Sequence, residues 1–491
     1  STLILTLLAA CAGCAGGSSG GDGSPDAHDG SILVDGGDLD GSLGDGTSDT
    51  TIAADDGGDA SVDGGSGEGA TSDAGDADLD ALGDGAIAEA IDETIVTGTC
   101  DGGDVTFTGT TFAPNGVDPI PHVLVYVTSD TQTFPAAPTG VDCLACTAPT
   151  GALAIATSAI DGTFTIPATG LDAGGTYTFV MQTGLFRRVI RHVAVASCTP
   201  VSLAAAQTSF PGSSAGDDVA PKIAVASDPS GTADVNDKLV QVLKAIGVTY
   251  DTFLPDKKGA ATTGDLIGLL NDPTTLAGYE ILAIPCGALG DFTVKPTLTP
   301  AIVSNLQAWL KAGGRLYVSD LAYEVVAQSD AADFTWAPGP STHAIDDPGN
   351  SGVGIATGTS ISANVVDADL LAWLQAIHAV TAPTTTIPIV DLRDPWGALD
   401  SITTAVDAKG KPLGTTFVSA SVSWHEGTTA VGPAVHPLTA QVDIPGASGD
   451  RCGRVVFTSY HVQSASSGSG LTPQEHVLEY LFFQLSRCVD Q

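Results

Sequence analysis

The sequence predicts a multidomain chain: a disordered acidic tether, then an all-β sandwich, then an α/β domain on a mostly parallel sheet. Three observations predict it. From Ala15 to Cys100 there are 21 Asp plus Glu and no Lys or Arg. From 98 to 209, short β-branched runs alternate with Gly/Pro turns and show no helical period. From 218 to 491, apolar strands alternate with helical patterns, as in a sheet covered on both faces.

The chain opens on an apolar run, Leu3-Ile4-Leu5-Thr6-Leu7-Leu8, closed by Ala9-Ala10-Cys11. A short apolar run ending in small residues reads as the core and cleavage site of a secretory signal. Leu8-Ala9-Ala10-Cys11 resembles the lipobox of bacterial lipoproteins, which implies lipidation at Cys11. No Met and no basic residue precede the run, so a few leading residues are expected before Ser1. Residues 1–11 are therefore read as signal and lipobox. The run is shorter than the ~20 residues that span a bilayer, which leaves the lipid as the expected membrane attachment.

Residues 12–97 are rich in Gly, Asp, Ser and Ala. Such a segment repels itself and buries too little apolar surface to offset its ordering entropy. As Gly-rich coil it spans roughly 50 Å root-mean-square. Asp76-Ala77-Asp78-Leu79-Asp80 begins like a calcium loop, but Ala81 and Ile87 stand where Gly and Glu are required. The formal net charge of -40, with no basic side chain before Arg187, argues against nucleic acid as a partner.

Nine cysteines fit an oxidising compartment. Cys11 is the lipidation site and Cys14 lies in the tether. Cys100, Cys143, Cys146 and Cys198 fall in the middle region, where two internal bridges are expected. Cys452 and Cys488 flank the last strand and helix and are placed to bridge, leaving Cys286 as a thiol. Cys143-Leu144-Ala145-Cys146 lacks the second pair of a zinc site and the strand-to-helix setting of a redox motif.

In the middle region (98–209) strands are expected at Val105–Thr108, Val123–Val127, Leu153–Thr157, Thr163–Ile166, Tyr177–Met181 and Val189–Val195. Asp161-Gly162 reads as a hairpin turn. Asn115-Gly116, Pro119-Ile120-Pro121, the Val123 strand and Asp161-Gly162-Thr163-Phe164 resemble the carboxypeptidase regulatory-like domain. That resemblance implies a transthyretin-like sandwich, a non-catalytic spacer or recognition module. Arg187, Arg188 and Arg191 are read as charges on an exposed strand edge, or as contacts for an anion.

In the last region (218–491), Lys222–Ser227, Tyr279–Ile284, Arg315–Ser319 and Arg454–Tyr460 read as buried strands. Asp234–Ile246, the segment from Thr299-Pro300 to Gly313, and the segment after the capping box Thr472–Glu475 read as helices. Pro338–Asp369 reads as an insertion or long loop. The order resembles the class I glutamine amidotransferase-like fold, including trehalose-utilisation-type members, which implies a Rossmann-like sheet. The residues that carry the resemblance are Tyr279–Gly287, Trp309–Asp320 and Gly453–His461. Catalytic members place a nucleophilic Cys on the elbow after the Gly-Gly strand. Here that place holds Ser319-Asp320, and Gln463 replaces the Glu expected two residues after His461.

Two catalytic readings follow: Ser319 attacks with His461 as base and Asp320 orienting it, or Cys286 attacks with His461 activating it. Against both stands a purely structural role for these residues. His343, His425 and His436 with Asp346, Asp347 and Glu426 show no metal-ligand spacing, so no metal and no cofactor are read. The expected whole is a lipid-anchored protein of the cell envelope, on the periplasmic or surface face of an outer membrane. Its expected role is binding or recognition of a glycan or surface protein without catalysis. The alternative is a hydrolase or amidase using Ser319 or Cys286 with His461.

Overall fold

The computed structural model describes residues 105–144, 146, 149–226, 237–254, 264–286, 298–330, 332–336, 360–390, 399–426, 429–462 and 470–488, with the backbone alone at 321, 423–426 and 429–432. All lie in one compact unit, Ala90–Gln491. Cys11, Cys14, Cys100, the acidic segment, His343, Asp346, Asp347 and Gln463 are outside the described residues.

The first part holds seven strands: β1 Val105–Thr110, β2 Leu124–Ser129, β3 Ala152–Thr157, β4 Thr163–Ala168, β5 Gly175–Thr183, β6 Phe186–Val195 and β7 Val201–Ser202. They form two sheets, β4-β1-β7 and β3-β2-β5-β6. Alternation drives the pairing of faces. In β4, Phe164, Ile166 and Ala168 point inward while Thr163, Thr165 and Pro167 stay in water. Phe107 and Phe164 of one sheet meet Phe179 of the other at 6.4 and 5.3 Å between ring centroids. Asp161-Gly162 does not close a hairpin: β3 pairs with β2 and β4 with β1, so this turn carries the chain from one sheet to the other. Gly162 sits at φ +75°, and a Cβ there would strike the Thr111 carbonyl and Pro119.

The second part runs β8 Ile223–Ala226, α1 Leu239–Ile246, β9 Asp251–Leu254, β10 Gly264–Asp265, α2 Leu266–Asn271, α3 Pro273–Leu276, β11 Ile281–Ile284, α4 Pro300–Lys311, β12 Arg315–Ser319, α5 Tyr323–Ser329 and β13 Phe334–Trp336. Then come β14 Ser360–Val365, α6 Ala368–Ala376, β15 Thr386–Val390, β16 Leu399–Ile402, β17 Gly414–Glu426, β18 Thr429–Pro445, β19 Arg451–Thr458 and α7 Pro473–Ser486. One large sheet has the order β10-β9-β8-β11-β12-β19-β18-β17-β14-β15. From β10 to β19 the neighbours are parallel; from β19 to β15 they are antiparallel. The sheet is thus mixed, where the sequence suggested mostly parallel pairing. Its antiparallel half comes from Ser-, Thr- and Gly-bearing strands without a dense apolar run. Part of the supposed long loop, Ser360–Val365, is strand β14 within it.

Successive residues of the parallel strands feed two cores. Ile223, Val225, Ile281, Ala283, Tyr317 and Val456 face α1 and α7; Ala224, Leu282, Ile284, Leu316, Val318 and Phe457 face α2, α4 and α5. Both faces are covered, which is why these strands are apolar throughout. The first core continues into the smaller sheets: Phe186 packs on Phe482 and Phe483 of α7 at 6.4 and 5.4 Å. Polar contacts seal the same seam. Trp373 Nε1 donates to the Pro119 carbonyl at 2.7 Å and the Leu185 amide to Ser486 at 2.8 Å.

The disulfides cross this seam. Cys143 pairs with Cys452 and Cys146 with Cys488, at Cα separations of 4.7 and 5.1 Å. Cys143 and Cys146 therefore do not bridge within the first part, and Cys452 does not bridge Cys488. The loop carrying the first pair leaves its own sheets and lies on the α/β part: the Val141 amide donates to Ala277, and Asp142 packs on Gly313. Cys198 is also disulfide-bonded. The three arginines do not form a bare edge. Arg188 pairs with Asp218 at 2.7 Å, Arg191 with Asp217 at 2.5 Å, and Arg187 donates to the Pro135 and Asp217 carbonyls. They clamp the connecting segment onto β6.

Candidate functional site

Parallel strands bring their C-terminal ends to one edge, where open α/β sheets place ligands. Register aligns Ile284 with Val318 and Ser319 with Thr458. The residues that follow, Cys286, Asp320 and His461, are thereby gathered. One ligand atom from each lies within 4.8 Å of the others, and all three are buried.

The centre of the cluster is one oxygen. Asp320 Oδ2 lies 2.6 Å from His461 Nε2 and accepts from Cys286 Sγ at 3.4 Å. Asp320 starts a single 3-10 turn, Asp320–Ala322, directly after β12. Its φ is +43°. Left-handed backbone in a non-glycine residue costs about 1 kcal/mol or more, and Asp is among the residues that tolerate it. A sharp strand-to-helix turn of this kind lifts a side chain off the sheet edge. Here the side chain lifted is a carboxylate.

Ser319 plays a different part. It is fully buried; its Oγ donates to Asp237 Oδ2 at 2.5 Å and accepts from the Cys286 amide at 3.0 Å. Asp237 Oδ1 in turn accepts from the Val462 amide at 3.1 Å. Asp237, just before α1, ties the ends of β11, β12 and β19 together through one carboxylate. Gln474 of α7 adds a bond from Nε2 to the His461 carbonyl at 2.5 Å. Among the predicted residues, then, Cys286, Asp320 and His461 converge, and Ser319 supports them from below. Sequence reading missed Asp237 and Gln474. Asp237 falls inside a predicted helix start, where an acid needs no further explanation, and Gln474 within a capping box that does form.

Burial sets the electrostatics. Desolvation by itself lowers the His461 pKa, but the Asp320 and Cys286 charges and their hydrogen bonds outweigh it and hold the imidazole well above its ordinary 6.5. Burial pushes the Asp237 carboxyl up, against the His461 charge and the bonds from Ser319 and Val462. An imidazolium beside a thiol favours the thiolate, the reactive form. Thiolate, imidazole and carboxylate are also a ligand set suited to zinc.

A second group with metal-binding donors sits at the seam: Asp118 with His476 and Glu479 of α7, also within 4.8 Å. His476 Nδ1 lies 2.9 Å from Glu479 Oε2, and Asn115 Nδ2 donates to Asp118 Oδ2 at 2.6 Å. His436 lies elsewhere, its Nδ1 3.4 Å from Asp400. Among the described residues no helix is long and apolar enough to cross a membrane.

No family model matches the chain, and no curated protein matches it. Solved structures similar to it include the mmIFT52 N-terminal domain, at 9% identity and TM-score 0.31, covering 54% of this chain and 97% of that one. A ThuA-like protein from Bacteroides uniformis matches at 11% identity and TM-score 0.26, covering 55% and 90%. Cytoplasmic Protein STM3548 from Salmonella typhimurium matches at 10% identity and TM-score 0.27, covering 54% and 98%. At these scores the likenesses carry no argument about chemistry, which has to come from the residues themselves.

Proposed function

We propose that the α/β part is a thiol-dependent hydrolase or amidase, with Cys286 as nucleophile, His461 as proton carrier and Asp320 holding the two together. The observation that carries this is the meeting of Sγ, Oδ2 and Nε2 at the C-terminal edge of the parallel strands. The Cys286 thiolate attacks a carbonyl carbon, forming a thioester as the leaving group departs with a proton from His461. Water then attacks the thioester, His461 takes its proton, and Cys286 is regenerated. Ser319 and Asp237 anchor the Cys286 amide during this cycle.

A second reading has a specific support. Asp320 occupies the elbow where catalytic amidotransferase-like proteins carry their nucleophile, so the part serves recognition of a glycan or a surface protein without turnover. In both readings the α/β part is amidotransferase-like and the two smaller sheets are a transthyretin-like sandwich. A lipid on Cys11 anchors the protein to the cell envelope, with residues 12–97 as spacer.

The test is a panel of activated esters, amides and glycan amides with wild type, Cys286→Ala and His461→Ala. Turnover that falls at least a hundredfold in both variants supports the hydrolase. Turnover absent from wild type across the panel, with Cys286 inert to iodoacetamide at neutral pH, rejects it and leaves recognition.

A further inference from the structure

At the opposite, N-terminal edge of the parallel strands lies a cavity of about 570 Å³, between the β2/β3 sheet and the ends of β19 and α7. Its walls include Arg451, Arg454 and Arg487 on one side and Leu124, Ile155 and Gln182 on the other. Cys146–Cys488 borders it and holds its two walls at fixed spacing. A volume of this size holds a small organic molecule.

The arginines are unusual in so acidic a chain, which has 17 Lys plus Arg against 57 Asp plus Glu. They are also incompletely matched. Arg451 spends its three nitrogens on Asp407, Asp443 and the Pro412 carbonyl. Arg454 gives Nε to Asp443 at 2.6 Å and Nη1 to the Gln484 carbonyl. Its Nη2 has no acceptor among the described residues, nor do Nε and Nη1 of Arg487, whose Nη2 donates to the Pro121 carbonyl at 3.1 Å. None of these three nitrogens is sealed from solvent. Arg315, fully buried behind them, donates to the Cys452 and Arg487 carbonyls. Of these four guanidinium groups only Arg451 and Arg454 make direct ion pairs, sharing Asp407 and Asp443, whereas Arg315 and Arg487 have no carboxylate within ion-pair distance among the described residues. Open guanidinium donors that face a cavity and outnumber the carboxylates paired with them are matched by an anion, whose charge-assisted bonds are stronger than those to water.

We infer that this cavity binds a small organic anion whose carboxylate or phosphate head meets Arg454 and Arg487 and whose apolar body lies along Leu124 and Ile155. Two adjacent guanidinium groups with open donors match the forked geometry of such heads. The site is independent of the Cys286 chemistry, and it would make the seam between the two parts a ligand-binding surface.

Isothermal titration at constant ionic strength in chloride tests this with two probes, phenyl phosphate and benzoate, which separate the two kinds of head. The variants are Arg487→Gln and Ile155→Trp; Ile155 is 49% exposed, so the latter fills the mouth without disturbing the core. The expected result is saturable one-to-one binding of at least one probe, weakened tenfold or more in both variants. Absence of saturable binding to either probe, or binding that survives either substitution in a protein with wild-type circular dichroism, overturns the inference.

Discussion

Glu479→Gln should change how stability depends on pH. Glu479 is fully buried in α7, next to His476 and facing Asp118. Burial first, with the Asp118 charge adding and the His476 bond opposing, raises its pKa from 4.5 to about 7. At ~1.4 kcal/mol per pH unit, holding this carboxylate ionised in the folded state costs about 3 kcal/mol relative to the unfolded chain. The folded state binds the proton more tightly. The stabilising effect of that proton is therefore complete below pH 4.5, declines between 4.5 and about 7, and is gone above 7. Glutamine cannot ionise, and its carbonyl can still accept from His476. Urea unfolding of wild type and variant at pH 4 and pH 8.5 should show the variant gaining about 3 kcal/mol on wild type across that interval. A stability difference that stays constant from pH 4 to 8.5 would refute the reasoning. It would mean that Glu479 is already neutralised at high pH or is hydrated in the folded state.

Other perturbations probe the seam between the two parts. Trp373→Phe leaves the Pro119 carbonyl without its donor and should cost about 1–3 kcal/mol in the same unfolding assay. Gly184→Ala puts a Cβ at φ +51° against the Ser486 carbonyl and Arg487 backbone, so it should destabilise by about 1–3 kcal/mol and loosen hydrogen-exchange protection at the end of α7. Cys146→Ser removes the second of two bridges; because Cys143–Cys452 stays closed, the ring it opens runs only through the Cys143–Cys146 and Cys452–Cys488 segments, and the loss should be about 2–5 kcal/mol, whereas an unchanged denaturation midpoint would show the seam closes without it.

How much of this was legible in the sequence follows from what each segment buries. β8, β11, β12 and β19 are covered on both faces, so their residues are apolar in unbroken runs and announce themselves. β17 and β18 carry Thr, Ser, Gly and Pro through 13 and 17 residues, and their pairing shifts register at several points, so no two-residue period survives to be read. The disulfide partners are illegible for another reason. Closeness in sequence suggested pairing within each part, but Val141 and Asp142 dock on the α/β part and carry Cys143 to Cys452. A loop's destination is a tertiary fact. Cys286, Ser319, Asp320 and His461 were found because strand ends in such sheets are where chemistry collects. Their individual roles depend on side-chain directions that no spacing encodes.

Those directions matter for the chemistry proposed. In a linear triad the carboxylate holds one ring nitrogen and the other faces the nucleophile, so each group touches only its neighbour. Here Cys286 and His461 both reach the same oxygen of Asp320, and His461 does so through Nε2. Cys286 also hydrogen-bonds His461 directly, so the proton leaving Sγ passes to the imidazole while Oδ2 holds both groups. Thiolate and imidazolium then stabilise one another directly by opposite charge, and the buried carboxylate, like-charged to the thiolate, holds the imidazolium in place. Replacing that carboxylate removes the group that holds imidazole and thiol together, and Asp is among the residues that tolerate the φ of +43° found at this position.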